Sequence, residues 1–131
     1  MIRFIFVVLT LLTTTAYASN FNEDYYNDAF CEFVGGDRET RHNYTLGYIR
    51  IDCETDTRVY EGGLDKRSSL DSIQQALFAS FITGKEPWVV IYDTDALEGK
   101  WELRIREAAR IAGVKFIKVH ADGLEVLWRG K

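Results

Sequence analysis

Residues 48–78 read YIRIDCETDTRVYEGGLDKRSSLDSIQQALF, and the periodicity changes twice along them. From Thr45 to Cys53 side chains alternate, with Leu46, Tyr48, Arg50 and Asp52 on one side and Gly47, Ile49, Ile51 and Cys53 on the other. A period of two predicts a β-strand. Glu54-Thr55-Asp56 reads as a turn and Thr57 to Glu61 as the returning strand of a hairpin, which Gly62-Gly63 is expected to break. Ser68 or Ser69 then caps a helix, Asp71 approximates a capping box, and Leu70, Ile73, Leu77 and Phe81 follow helical spacing. Gly84 is the expected stop.

Upstream, Asn20 to Phe33 predicts a helix. Asn20 or Asn22 suits the cap, Glu23 and Asp24 suit the positive helix end, and Tyr26, Phe30 and Phe33 share a face. Gly35-Gly36 ends it, and the polar stretch Glu39 to Asn43 leads into a strand. Downstream, Trp88 to Tyr92 is a continuous apolar run behind Pro87, as a strand buried on both faces requires. Leu97 to Ala112 reads as a helix with Trp101, Ile105, Ala108, Ala109 and Ala112 inward and an i,i+4 pair of Glu102 with Arg106. Val114 to Val119 and Leu124 to Trp128 read as further strands. The order predicts an α/β domain with a mixed sheet and helices on both faces.

At the N-terminus a basic start (Arg3), an apolar run from Phe4 to Leu12 and an Ala16-Tyr17-Ala18 cleavage site have the layout of a secretory signal peptide over residues 1–18. The run is shorter than the roughly 20 residues that span a bilayer. The expectation is a single domain over 19–131, exported to the periplasm or beyond the cell, with no membrane insertion after cleavage. Two cysteines in an exported chain, Cys31 and Cys53, predict one disulfide rather than two thiols. Charge is polarised: residues 19–71 carry 12 acids and 6 bases, whereas residues 99–131 carry 4 acids and 8 bases. Net charge does not favour polyanions, although the basic end could supply a face for them.

The hairpin brings Asp52 and Glu61 onto neighbouring strands. Two converging carboxylates form a hard oxygen site suited to Mg²⁺ or Mn²⁺, which polarises phosphodiesters and activates water. Lys66 lies close enough in sequence to reach back and stabilise the developing charge. Asp52 could instead pair with Arg50 or Arg58, leaving a binding or interaction protein without catalysis.

The run Arg50-Ile51-Asp52-Cys53-Glu54-Thr55-Asp56-Thr57, with Glu61 following, resembles the pattern R-V-D-C-x-T-D-T-x-x-x-E of a group of small exported bacterial proteins in the PD-(D/E)XK nuclease superfamily. That resemblance covers most of Phe30 to Asp93. It implies a restriction-endonuclease-like αβββαβ core and metal-dependent cleavage of DNA or RNA. It further implies Asp52, Glu61 and Glu39 as metal ligands, Lys66 or Arg67 as the catalytic cation, and Gln74, thirteen residues past Glu61, as a group orienting water or phosphate. The superfamily lysine two residues after the glutamate is replaced here by Gly63.

Overall fold

In the computed structural model of the protein, residues 22–124 are described. The signal-peptide expectation for residues 1–18 lies outside them. The elements run α1 (Glu23–Val34), β1 (Asp37–Tyr44), β2 (Gly47–Glu54), β3 (Arg58–Leu64), α2 (Leu70–Thr83), β4 (Glu86–Asp93), α3 (Lys100–Ala112) and β5 (Lys115–His120). One five-stranded sheet follows sequence order, β1-β2-β3-β4-β5. Its first two pairings are antiparallel, as tight turns allow, and its last two are parallel, joined by the crossovers through α2 and α3.

β4 explains the layering. Val90 and Tyr92 face the cluster built on Tyr26, Ala29 and Phe30 of α1, whereas Val89 and Ile91 face Ile73 and Ala76 of α2 and Ile105 and Ala109 of α3. Both faces are covered, so the strand is apolar throughout. Cys31 and Cys53 form the disulfide between α1 and β2, with Cα atoms 5.4 Å apart. It sits inside the first cluster.

α1 begins at Asn22, whose side chain accepts the Tyr25 N–H at 3.1 Å, and ends at Gly35 in the left-handed region. Asn22 and not Asn20 is therefore its cap. α3 begins at Lys100 rather than Leu97, and Ala112 is exposed. The expected Glu102–Arg106 pair does not form. Glu102 is buried and accepts the Gly99 N–H at 2.5 Å, while Arg106 pairs with Glu98. Residues 121–124 are helical, so Leu124 opens no strand; the rest of that expected strand lies outside the described residues.

Two departures shape the site. Gly62-Gly63 does not break β3 but lies within it, paired with Val90 and Ile91 of β4. A Cβ at Gly62 would collide with the Asn27 amide and one at Gly63 with Ser69. The glycines are needed because α1 and the start of α2 press onto the strand here. Ser72 completes the fit by donating its hydroxyl to the Gly62 carbonyl at 2.8 Å.

The second departure is the face of α2. Its buried residues are Ser72, Ile73, Ala76 and Ala79, whereas Leu70 and Leu77 are largely exposed and Phe81 is 80% exposed. Ala76 and Ala79 are fully buried. These small residues let the helix axis approach the flat β3 closely, which rolls the bulkier Leu70–Leu77–Phe81 stripe toward the edge.

Candidate functional site

β2 and β3 are in regular register only at Cys53↔Tyr60 and Glu54↔Val59. Beyond these pairs the seam opens. Ile51 turns to the α2 side with Val59 and Ala79, while Cys53 turns to α1. This breaks the alternation expected from the sequence, which put Ile51 and Cys53 on one side. In the opened seam, side chains replace ladder bonds. Asp52 Oδ2 accepts the Gly62 N–H at 2.9 Å, the Glu61 carboxyl meets the Asp52 backbone N–H, and the two carboxyl groups hydrogen-bond to each other.

This pair forms part of the wall of a cavity of about 680 Å³ between the hairpin, the N-terminal end of α1 and the first turns of α2. Glu61 is only 2% exposed. Burial first, and then the neighbouring Asp52 charge, push its carboxyl up to about 9. Burial also raises Asp52, although the Gly62 N–H opposes the shift. Two carboxylates this close cannot both ionise cheaply. Neither expected arginine neutralises them by pairing with Asp52: Arg50 pairs with Glu39 at 3.6 Å and Arg58 with Glu86 at 3.6 Å. Facing hard oxygens with no ion-paired cation among the described residues are a donor set that fits Mg²⁺ or Mn²⁺, with water or substrate oxygen completing the shell.

Of the other expected site residues, Arg67 and Gln74 line the same cavity. Arg67 is held by Glu23 at 2.5 Å. Lys66 and Glu39 are not brought to it. Lys66 is exposed in the turn after β3. Glu39 has a φ of 49° and lines a separate groove with Asp24, Asp28 and Arg38. It sits where the β1–β2 register skips a pair opposite Asp52, and the local left-handed backbone takes its side chain away. Periodicity did not point to Glu23, Asp24 or Asp71 as cavity residues. They come from two helix starts, and read alone they look like ordinary dipole partners.

A second acidic group lies where β3 and β4 end. Ligand atoms of Asp65, Asp93 and Asp95 fall within 4.8 Å of one another. Most of these oxygens already have partners. Thr94 donates its N–H and hydroxyl to Asp65 at 2.6 and 2.8 Å, and Ala96 N–H donates to Asp93 Oδ1 at 2.8 Å. Lys118 lies 3.5 Å from Asp93 Oδ2 and 3.4 Å from Glu102 Oε1. An ammonium ion between two buried carboxylates does the neutralising here, so the group reads as a structural network.

Glu54, on the far side of the hairpin, provides a contrast. Its carboxylate takes Lys85 Nζ at 2.7 Å, Thr40 Oγ1 at 2.5 Å and His42 Nε2 at 2.6 Å. Burial works against its charge, but Lys85, then Thr40 and His42, outweigh burial and hold the carboxyl down to about 2. A depressed carboxylate adds stability above its unfolded pKa near 4.3, and that stability is lost as pH falls toward 2. Glu54→Gln is therefore expected to cost about 1–2 kcal/mol at pH 7, after solvent screening is allowed for, and to flatten the acid limb of a pH-dependent melting curve. An unchanged limb between pH 5 and 2 would contradict the assignment.

Among the described residues, no helix is long and apolar enough to cross a membrane, and the disulfide fits an oxidising compartment. No protein-family model matches the chain, and no solved structure matches it. It is 28% identical over 81 residues to the chloroplastic decarboxylating 6-phosphogluconate dehydrogenase 2 of Spinacia oleracea. It is also 28% identical over 81 residues to the chloroplastic decarboxylating 6-phosphogluconate dehydrogenase 3 of Arabidopsis thaliana. These matches take in 62% of this chain but only 15% and 17% of those proteins.

Proposed function

We propose that the cavity between the hairpin and α2 is the active site of a metal-dependent phosphodiesterase acting on nucleic acid. The observation that carries this reading is the Asp52–Glu61 pair, a half-buried and a buried carboxyl hydrogen-bonded to each other on the wall of an open polar cavity. The element order α1-β1-β2-β3-α2-β4 agrees with the αβββαβ core implied by the resemblance to PD-(D/E)XK nucleases. Carboxyl groups in mutual hydrogen-bond contact are too close for glycoside hydrolysis, whose acid and base stand about 5–9.5 Å apart. The chain has no G-x-G-x-x-G phosphate loop, so the partial likeness to dehydrogenases is not carried into the proposal.

Asp52 and Glu61 would hold Mg²⁺ or Mn²⁺, which when bound polarises the phosphodiester and lowers the pKa of water. Arg67 takes the role of cation toward the phosphate, held in place by Glu23. Gln74, on the first turns of α2, offers both a donor and an acceptor to water or phosphate. The rival reading, an exported binding protein that keeps these groups only for packing, predicts no turnover.

Cleavage of plasmid DNA and of labelled single-stranded DNA and RNA by the purified protein, with and without Mg²⁺ or Mn²⁺, decides between them. Metal-dependent cleavage that Asp52→Asn abolishes is the expected result, and plasmid, single-stranded DNA and single-stranded RNA all left intact in both metals overturn the reading. Arg67→Ala is expected to slow nicking by about 100-fold, whereas Lys66→Ala leaves it unchanged. The opposite ranking would return the role to Lys66.

A further inference from the structure

The end of the β1–β2 hairpin carries aromatic rings to the rim of the same cavity. Tyr44, Tyr48 and Phe78 line it together with Asp52 and Glu61. Tyr44 meets Phe78 edge to face, with ring centroids 5.0 Å apart, which ties the hairpin to α2. Tyr48 has no such burial and remains 53% exposed. The Arg41 guanidinium lies over its ring, 3.4 Å from the centroid. An exposed tyrosine next to a reaction cavity, backed by a planar cation, combines the two elements of a base-stacking platform.

The charges around the cavity indicate which nucleic acid fits. Five acids line it against two arginines, so the single phosphate contact assigned to Arg67 is not extended by a row of cations. A surface of this kind does not track the phosphates of a duplex. Affinity must then come from a contact that needs no charge, and stacking on an aromatic face is available to unpaired bases only, since duplex bases are already stacked.

Building on the phosphodiesterase reading, we propose that the substrate is single-stranded nucleic acid, with a base next to the scissile phosphate stacking on Tyr48. Arg41 steadies the tyrosine ring and adds positive charge beside the stacked base. Tyr44 and Phe78 hold the hairpin over α2, so the platform keeps its distance from Asp52 and Glu61.

The test is fluorescence anisotropy on the purified full chain in chelator, which prevents cleavage. The probes are a fluorescein-labelled 12-nucleotide DNA strand, the same sequence in RNA, and the 12-base-pair duplex. At least one single strand is expected to bind at least 10-fold more tightly than the duplex. Tyr48→Ala is expected to weaken single-strand binding about 10-fold, with Tyr48→Phe retaining it and duplex binding unmoved. An unchanged melting temperature in Tyr48→Ala separates stacking from folding. Equal affinity for strand and duplex, or single-strand affinity indifferent to Tyr48→Ala, overturns the proposal.

Cleavage assays on the single strand and on the duplex distinguish this failure from failure of the phosphodiesterase reading. Turnover that survives Tyr48→Ala on both substrates removes the platform and keeps the enzyme. Tyr48-dependent single-strand binding without turnover in either metal keeps the platform and removes the enzyme.

Discussion

In metal-free buffer at pH 7, Glu61→Gln melts above the wild type, by on the order of 2–3 kcal/mol. Burial and the Asp52 charge push the Glu61 carboxyl up to about 9, so the folded protein keeps a proton that the unfolded chain releases above about 4.3. The stability contributed by this group is whole below that unfolded value and is lost as pH rises toward 9. Wild-type stability should therefore slope downward from pH 5 to 9, and Glu61→Gln should remove most of the slope. An amide is neutral throughout, and its NH₂ can donate to Asp52. The same substitution should eliminate any stabilisation that millimolar Mg²⁺ or Mn²⁺ confers on the wild type by mass action, along with metal-dependent nicking. Thermal melts of both proteins at pH 5, 7 and 9, with and without metal, check all of this. A Glu61→Gln variant less stable than wild type at pH 9 would mean that Glu61 is ionised and paired, and the metal reading would lose its physical basis.

Reduction of the Cys31–Cys53 bond is expected to produce the largest loss of stability. The bridge spans 22 residues, and releasing a loop of that length from the unfolded chain costs roughly 3 kcal/mol. For a domain of this size that lowers the melting temperature by on the order of 15 °C. The effect should reach the cavity, because Cys53 is adjacent to Asp52 and its pairing with Tyr60 is one of the two regular β2–β3 contacts. Both sulfurs crowd Gly36 at the end of α1, so losing the bond frees the α1–β1 corner as well as β2. A melt with and without reductant, alongside Cys31→Ser/Cys53→Ser, measures the loss. A shift under 3 °C would show that packing of Phe30, Tyr60 and Tyr92 holds the corner without the covalent bond.

Much of the arrangement is legible in the sequence. An alternating run, a short turn and a returning strand put Asp52 and Glu61 on adjacent strands, because pairing across a tight turn follows from local geometry, although the alternation itself breaks at Asp52. Two cysteines behind an export-like leader indicated the bridge, since only one pairing exists. The apolar run from Trp88 to Tyr92 marked the central strand because a strand covered on both faces has no position for polar side chains.

What tertiary structure decided lies where distant segments meet. Gly62-Gly63 looks like a strand breaker in sequence and becomes strand because Asn27 and Ser69 leave no room for a Cβ. Leu70, Leu77 and Phe81 look like a buried stripe, yet Ala76 and Ala79 let α2 settle closer to β3 and take that place. Arg67 and not Lys66 lines the cavity, held there by the carboxylate of Glu23, 44 residues away. Glu39 lies in the sequence window for a ligand and is carried off by its own backbone angle. Periodicity reports which face of an element a residue occupies. It carries no information about how closely two elements approach, and in this protein that distance determines which charged groups reach the cavity.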